Sequence, residues 1–151
     1  MKRRNRAQSM VEFAVLAPIF FMLLLGTIDL GRAIYIYNTI SDAAREGARA
    51  AVPFDNPLPS NTTLVNAVQS KLGGGFTLAV DPCITQGGTC PGTPLTPNTG
   101  YIWYSSNVGQ LGHHGVTVKV TFLFQPWVPV IRDASGNGVT ISAQSTMVTE
   151  Y

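Results

Sequence analysis

The clearest pattern in the chain is a run of apolar residues near its N-terminus. Residues 10–28 contain a single ionisable side chain, that of Glu12. A helix rises about 1.5 Å per residue, so this run would span about 28 Å, close to the thickness of the hydrocarbon core of a bilayer. The pattern predicts a transmembrane helix.

Beyond residue 28 the apolar positions recur every three or four residues, which is typical of a helix with one buried face. Charged residues such as Arg32, Asp42 and Glu46 lie between them. The pattern predicts that the same helix continues to Val52 and ends before Pro53. The residues of the predicted apolar face are Leu30, Ala33, Ile34, Tyr37, Ile40, Ala44, Ala48 and Ala51.

Small residues recur on this helix at a spacing of four, at Ala43, Gly47 and Ala51. Residues without bulk allow another element to approach the helix backbone closely. We therefore expect these three residues to form a packing surface. Its partner is either the chain's own sheet or a neighbouring subunit, and the sequence leaves both open.

Residues 53–151, which we call the head, contain several short helix and strand patterns, as expected for one small domain. A proline-rich segment at 53–60 precedes a predicted helix that ends at Leu72. Alternating apolar and polar side chains predict strands at residues 76–80, 101–105, 116–124 and 139–148. The predicted fold class is therefore α+β, with a long transmembrane and amphipathic helix packed on a small antiparallel β-sheet.

Charge is distributed unevenly along the chain. Four basic residues, Lys2, Arg3, Arg4 and Arg6, precede the apolar run, whereas residues 8–151 carry six basic and eight acidic side chains. By the positive-inside rule, the N-terminus stays in the cytoplasm and the head is exported. The head has no cluster of cations, so nucleic acid is not an expected partner.

Two cysteines, Cys83 and Cys90, lie in a segment of the head that is rich in proline and glycine. Because export brings them into an oxidising compartment, we expect a disulfide between them, with two free thiols as the alternative. One cysteine pair without a second pair is a poor zinc site. No metal and no cofactor are expected.

The sequence contains no catalytic motif that we recognise. It has no Gly-x-Ser-x-Gly elbow and no His-Glu-x-x-His motif, and only four acidic residues follow Pro53. We therefore do not expect an enzyme. The aromatic residues Tyr101, Trp103, Tyr104 and Trp127 are the candidates for a binding surface.

Residues 8–13, Gln-Ser-Met-Val-Glu-Phe, resemble the segment that follows the cleavage site of class III, type IV-like prepilins. The resemblance implies that a prepilin peptidase cuts between Ala7 and Gln8, so that Glu12 and Phe13 become the fifth and sixth residues of the mature chain. That family usually has glycine before the cut, where this chain has Ala7.

The same resemblance implies that Glu12 and Phe13 act in assembly. An ionised carboxylate within a membrane helix costs about 2.5–3.5 kcal/mol on insertion scales unless a partner compensates its charge. The implied partner is the amine that cleavage creates at Gln8 of a neighbouring subunit. In the alternative, Glu12 lies at the cytoplasmic interface, solvated by headgroups near Arg6.

Four blocks of the N-terminal third together resemble the TadE-like family of membrane-anchored pseudopilins. They are V-E-F-A at 11–14, the leucine run at 23–25, G-x-x-D-x-G-R at 26–32 and A-A-R-E-G-A-R at 43–49. The resemblance implies a pilin-like fold and a role in a tight-adherence, Flp-type pilus, in assembly, in priming or as a structural subunit. The implied partners are the membrane, a prepilin peptidase, other pilin or pseudopilin subunits and the pilus assembly platform.

This interpretation divides the chain into a cytoplasmic leader (1–7), a transmembrane and extended helix (8–52) and the exported head (53–151). It places the protein in the inner membrane as a single-pass protein, and in the surface filament. One alternative is a membrane-anchored binding module that never enters a filament. Another is a secreted protein whose apolar run is a signal peptide cut after residues 31–33. The first residue of the mature chain, Gln8, Met1 or Ile34, distinguishes the three.

Overall fold

One long helix dominates the computed structural model, which describes residues 4–52, 61–73, 76–86, 92–108, 114–136 and 138–148. This helix, α1, comprises Arg4–Ala51 and continues through Pro18. Its 48 residues correspond to a length of about 72 Å. The sequence predicted its C-terminal end to within one residue, because Pro53 cannot continue a helix.

The first half of α1 is exposed although it is apolar. Phe13 and Leu23 are 71% and 68% exposed, and all other residues of the 10–28 run are exposed except Ala17 and Gly26, which are half-buried. By length and composition, α1 is able to cross a membrane. The chain is therefore an α+β protein with a candidate transmembrane helix.

The head contains a mixed four-stranded sheet in the order β1-β2-β3-β4. The antiparallel pairing predicted from the sequence is correct for β2–β3 and β3–β4, but β1 lies parallel to β2. A parallel pair needs a crossover of a dozen or more residues, and the segment 81–98 supplies it. The strands are β1 (Thr77–Val80), β2 (Thr99–Val108), β3 (His114–Phe124) and β4 (Val139–Val148).

Three shorter helices accompany the sheet: α2 (Asn61–Leu72), α3 (Pro82–Gln86) and α4 (Pro129–Ala134). The sequence predicted α2 but neither α3 nor α4. Pro129 occupies the start of α4, where the missing N–H of proline costs nothing because no intrahelical acceptor exists there. The two prolines at 126 and 129 therefore end β3 and also start a helix.

The core lies between the second half of α1, α2 and the sheet. Ile40, Leu64, Val68 and Val118 are completely buried. The predicted apolar face of α1 is correct at Ile40, Ala44, Ala48 and Ala51 but not throughout. Leu30, Ile34 and Tyr37 are exposed, while Ile36 and Ala43 are buried.

Candidate functional site

The residues predicted for processing and assembly all lie on α1. Gln8 and Glu12 are exposed and one helical turn apart, so they share a face of the helix. Phe13 is exposed beside them. Within the described part of the chain Glu12 forms no ion pair. The backbone of Ala7 is helical, and cleavage between Ala7 and Gln8 remains a prediction.

The predicted packing residues of α1 lie in the core of the chain itself. Ala43 and Ala51 are completely buried. A Cβ atom added at Gly47 would lie 2.6 Å from Cγ2 of Val68 in α2 and 3.3 Å from Cγ1 of Val118 in β3. Of the two partners left open by the sequence, the chain's own head occupies this surface.

We expect Gly47→Val to lower the free energy of unfolding of the head by about 2 kcal/mol, because the added carbons would overlap a buried valine. Gly31→Val is the matched control on the same helix, since nothing lies within 4 Å of a Cβ added there. Urea unfolding of the full-length protein in detergent micelles measures both. Equal midpoints for the two variants would contradict the close approach at Gly47.

The carboxylate of Asp29 is a buried polar group on α1 that is only 4% exposed. Its Oδ2 accepts hydrogen bonds from the backbone N–H of Trp127 at 2.8 Å and of Val128 at 2.9 Å. Its Oδ1 accepts one from the Arg32 guanidinium at 3.0 Å. Asp29 therefore ties α1 to the segment between β3 and α4.

Arg32 strengthens the same junction through two aromatic rings. Its guanidinium carbon lies 3.9 Å from the ring centroid of Trp127 and 5.1 Å from that of Phe124, the last residue of β3. These distances are within the range of cation–π attraction. We call the set Asp29, Arg32, Phe124, Trp127 and Val128 the Asp29 anchor.

The local sequence explains why the Asp29 anchor forms. In Pro126-Trp127-Val128-Pro129 the two prolines lack an N–H, so only the two residues between them are able to donate. Val128 is buried, and a buried N–H needs an acceptor. On α1, the spacing of three between Asp29 and Arg32 places both side chains on one face of the helix.

This anchor was not predicted from the sequence, where Arg32 was placed among the charged residues of the helix and Asp29 was given no role. One signal was available. Asp29 lies one helical turn before the half-buried Ala33 and continues the stripe of the buried Ile36 and Ile40, and an acid at a buried position must have a partner. The partner itself was not readable, because Trp127 is 98 residues away in the sequence.

A second buried carboxylate, that of Asp81, organises the crossover between β1 and β2. Its Oδ1 accepts from the N–H of Cys83 at 2.9 Å, and its Oδ2 accepts from the N–H of Gly92 at 2.6 Å. Asp81 thus closes the loop that contains both cysteines. Cys90 lies outside the described residues, so its pairing with Cys83 stays a prediction.

The four aromatic residues considered for a binding surface do not come together. Tyr101, Trp103 and Tyr104 are half-buried on β2, and burial raises the pKa of the Tyr104 phenol. Trp103 pairs with Lys119, five residues before Phe124, so it lies about 16 Å along the sheet from the end where Trp127 is found. Among the described residues, no group of three or more His, Cys, Asp and Glu side chains is placed to hold a metal ion.

These features define a class of protein: an α+β head carried on one long helix, of which the apolar first half is a candidate membrane span. Residues 7–49 match the family model described as TadE-like protein, which confirms the resemblance seen in the sequence. The matched segment includes the apolar run, Asp29, Arg32 and Gly47, whereas the head lies outside it. Comparisons with curated proteins and with solved structures found no match.

Proposed function

We propose that this protein is a pseudopilin or structural subunit of a tight-adherence, Flp-type pilus. The TadE-like segment supports an association with such pili, and the candidate transmembrane helix supports anchoring in the membrane before assembly. In this proposal residues 1–7 are a cytoplasmic leader, and residues 53–151 form a head outside the inner membrane. The role is structural, in keeping with a family that is not enzymatic.

The observation that carries the proposal is an apolar stripe on α1 that extends past the membrane span. Leu30, Ile34 and Tyr37 are 62%, 53% and 51% exposed. At about 1.5 Å per residue, Tyr37 lies about 14 Å beyond Ile28, outside the hydrocarbon core. Lipid tails do not reach Tyr37, whereas the helix of a neighbouring subunit would cover the whole stripe. A simple anchor has no need of this stripe.

The N-terminus supplies the second part of the proposed mechanism. Cleavage after Ala7 removes Lys2, Arg3, Arg4 and Arg6, the charges that hold the N-terminus on the cytoplasmic side. It also creates an amine at Gln8 that a neighbouring subunit's Glu12 would pair with. The exposed ring of Phe13 is available for contact with the adjacent helix.

We expect the mature protein to begin at Gln8 when it is expressed in a strain with a Flp-type prepilin peptidase, and at Met1 when that peptidase is deleted. Intact mass spectrometry of membrane-extracted protein measures this. Ala7→Gly restores the residue usual in the family and is expected to raise the cleaved fraction. An uncut chain in both strains would instead favour the membrane-anchored binding module, and a chain beginning at Ile34 the secreted protein.

A structural subunit and a priming subunit differ in stoichiometry. Quantitative mass spectrometry of sheared filaments gives the ratio of this protein to the small major pilin. A ratio of the same order supports a structural subunit distributed along the filament. A trace amount that is nevertheless required for filaments to form supports priming.

A further inference from the structure

The end of the head nearest the membrane span exposes a short apolar segment. We call residues 127–132 the base segment; they comprise the two residues after Pro126 and the first part of α4. Trp127, Val130 and Ile131 are 64%, 58% and 42% exposed. Three large apolar side chains clustered on one exposed segment indicate a surface that is covered by something else.

The base segment lies at the level where the apolar run of α1 ends. The N–H groups of Trp127 and Val128 are bonded directly to Asp29, the residue after Ile28. Ile131 lines an apolar recess of about 410 Å³ together with Gly26, which is inside the run. A bilayer adds only about 5–8 Å of polar interface on each side of its hydrocarbon core. If α1 spans the membrane, the base segment cannot avoid that interface.

The chemistry of the segment suits this location. Tryptophan is enriched at membrane interfaces because its ring is apolar and its N–H is polar. Trp127 is also stacked on Arg32, a cation at the same level that lipid phosphates would attract. Arg132 and its neighbour Asp133 approach to 3.7 Å and cancel in charge. The contact should therefore depend on apolar burial more than on anionic lipid.

We propose that the base segment is a second membrane contact, immersed in the headgroup layer on the outer face of the membrane that α1 crosses. Trp127, Val130 and Ile131 meet the part of the acyl chains that lies next to the headgroups. The contact belongs to the membrane-embedded form of the protein, and it rests on the membrane insertion of α1 in the proposed function, not on pilus assembly. With two points of attachment, the head has a fixed orientation on the bilayer before it is extracted.

The two tryptophans of the chain provide a matched test in the full-length protein. Trp103→Phe leaves Trp127 as the only tryptophan, and Trp127→Phe leaves Trp103, which lies about 16 Å farther from the base segment along the sheet. Both variants are reconstituted in phosphatidylcholine vesicles that contain lipids brominated near the headgroup or near the chain end. We expect headgroup-proximal bromine to quench Trp127 several-fold more than Trp103, with blue-shifted Trp127 emission that added salt does not reverse.

A third variant reports on α1 itself: Phe20→Trp in a chain that also carries Trp103→Phe and Trp127→Phe. Deep bromine should quench its fluorescence if α1 spans the bilayer. Quenching of this variant without quenching of Trp127 overturns the base-segment contact and leaves the membrane anchor intact. If neither Trp127 nor the Phe20→Trp reporter is quenched, both the base-segment contact and the membrane insertion of α1 are overturned. Blue-shifted but unquenched Trp127 emission that follows the protein-to-lipid ratio would assign the surface to a second copy of the chain, and overturn the lipid contact.

Discussion

Asp29→Ala is expected to lower the free energy of unfolding of the head by about 3 kcal/mol, the largest stability effect we predict for one side chain. The substitution removes the acceptor for two backbone N–H groups. Val128 is 2% exposed, so its N–H has no ready access to water. The ion pair with Arg32 adds less, because the Arg32 side chain is 29% exposed.

The measurement is urea unfolding of the full-length protein in detergent micelles, followed by Trp103 fluorescence in a Trp127→Phe background. Asp42→Asn is the matched control, since Asp42 is a 72% exposed acid on the same helix whose nearest cation lies 3.9 Å away. Asp29→Asn keeps one side-chain oxygen as an acceptor and should fall between the two. If Asp29→Ala unfolds at the same urea concentration as Asp42→Asn, the anchor does not hold the head on α1.

The Asp29 anchor also connects the two proposals made for this protein. The hydrogen bonds to Trp127 and Val128 fix the base segment at the end of the apolar run. Asp29→Ala should therefore weaken the quenching of Trp127 by headgroup-proximal bromine without changing that of the Phe20→Trp reporter. If quenching is lost at Trp127 but not at the Phe20→Trp reporter, Asp29 positions the base segment and α1 still inserts.

The sequence predicts the elements whose pattern is local. The alternation of Val116, Val118, Val120 and Phe122 predicted β3, and the alternation along residues 139–148 predicted β4. The parallel pairing of β1 was not predictable in this way, because it depends on where the 81–98 crossover leads the chain. The partners of the Asp81 and Asp29 carboxylates were not predictable either. Each carboxylate accepts hydrogen bonds from backbone N–H groups, and the pattern of apolar and polar residues does not indicate which ones.

The apolar face of α1 shows a second limit. Ile34 and Ile36 are equally apolar, yet Ile36 is 7% exposed and Ile34 53% exposed. A helix that contacts its own head on one side and lipid or neighbours on another carries two apolar stripes, and periodicity alone merges them. The merged face predicted from the sequence contained both. Only the packing of the head on Ile36, Ile40 and Ala44 distinguishes the stripe that is buried from the stripe that is exposed.

The second large effect is expected at Glu12, where the readout is assembly. At the centre of a membrane helix an unpaired carboxylate costs about 2.5–3.5 kcal/mol, which is an upper bound for Glu12 near the end of the span, and pairing with the Gln8 amine of a neighbouring subunit would relieve that cost in the filament. Glu12→Gln removes the charged carboxylate, and with it both the free-energy cost in the membrane and the gain from pairing in the filament. We expect the variant to insert and to be cleaved normally, but its recovery in sheared filaments to fall by up to about 100-fold, since each 1.4 kcal/mol is tenfold.

Glu12→Asp retains the charge on a shorter side chain and should restore part of the recovery, whereas a merely structural requirement for side-chain length would favour Gln over Asp. Asp42→Asn, which removes an exposed charge from the same helix outside the span, should leave recovery unchanged. The Asp and Gln variants therefore distinguish the charge of residue 12 from its side-chain length. The Asp42→Asn variant shows whether loss of any acidic charge from α1 has the same effect. Equal recovery of Glu12→Gln and the unsubstituted protein would show that lipid headgroups at the cytoplasmic interface already solvate the carboxylate. Glu12 would then contribute no driving force to assembly, and the exposed stripe at Leu30, Ile34 and Tyr37 would have to supply it.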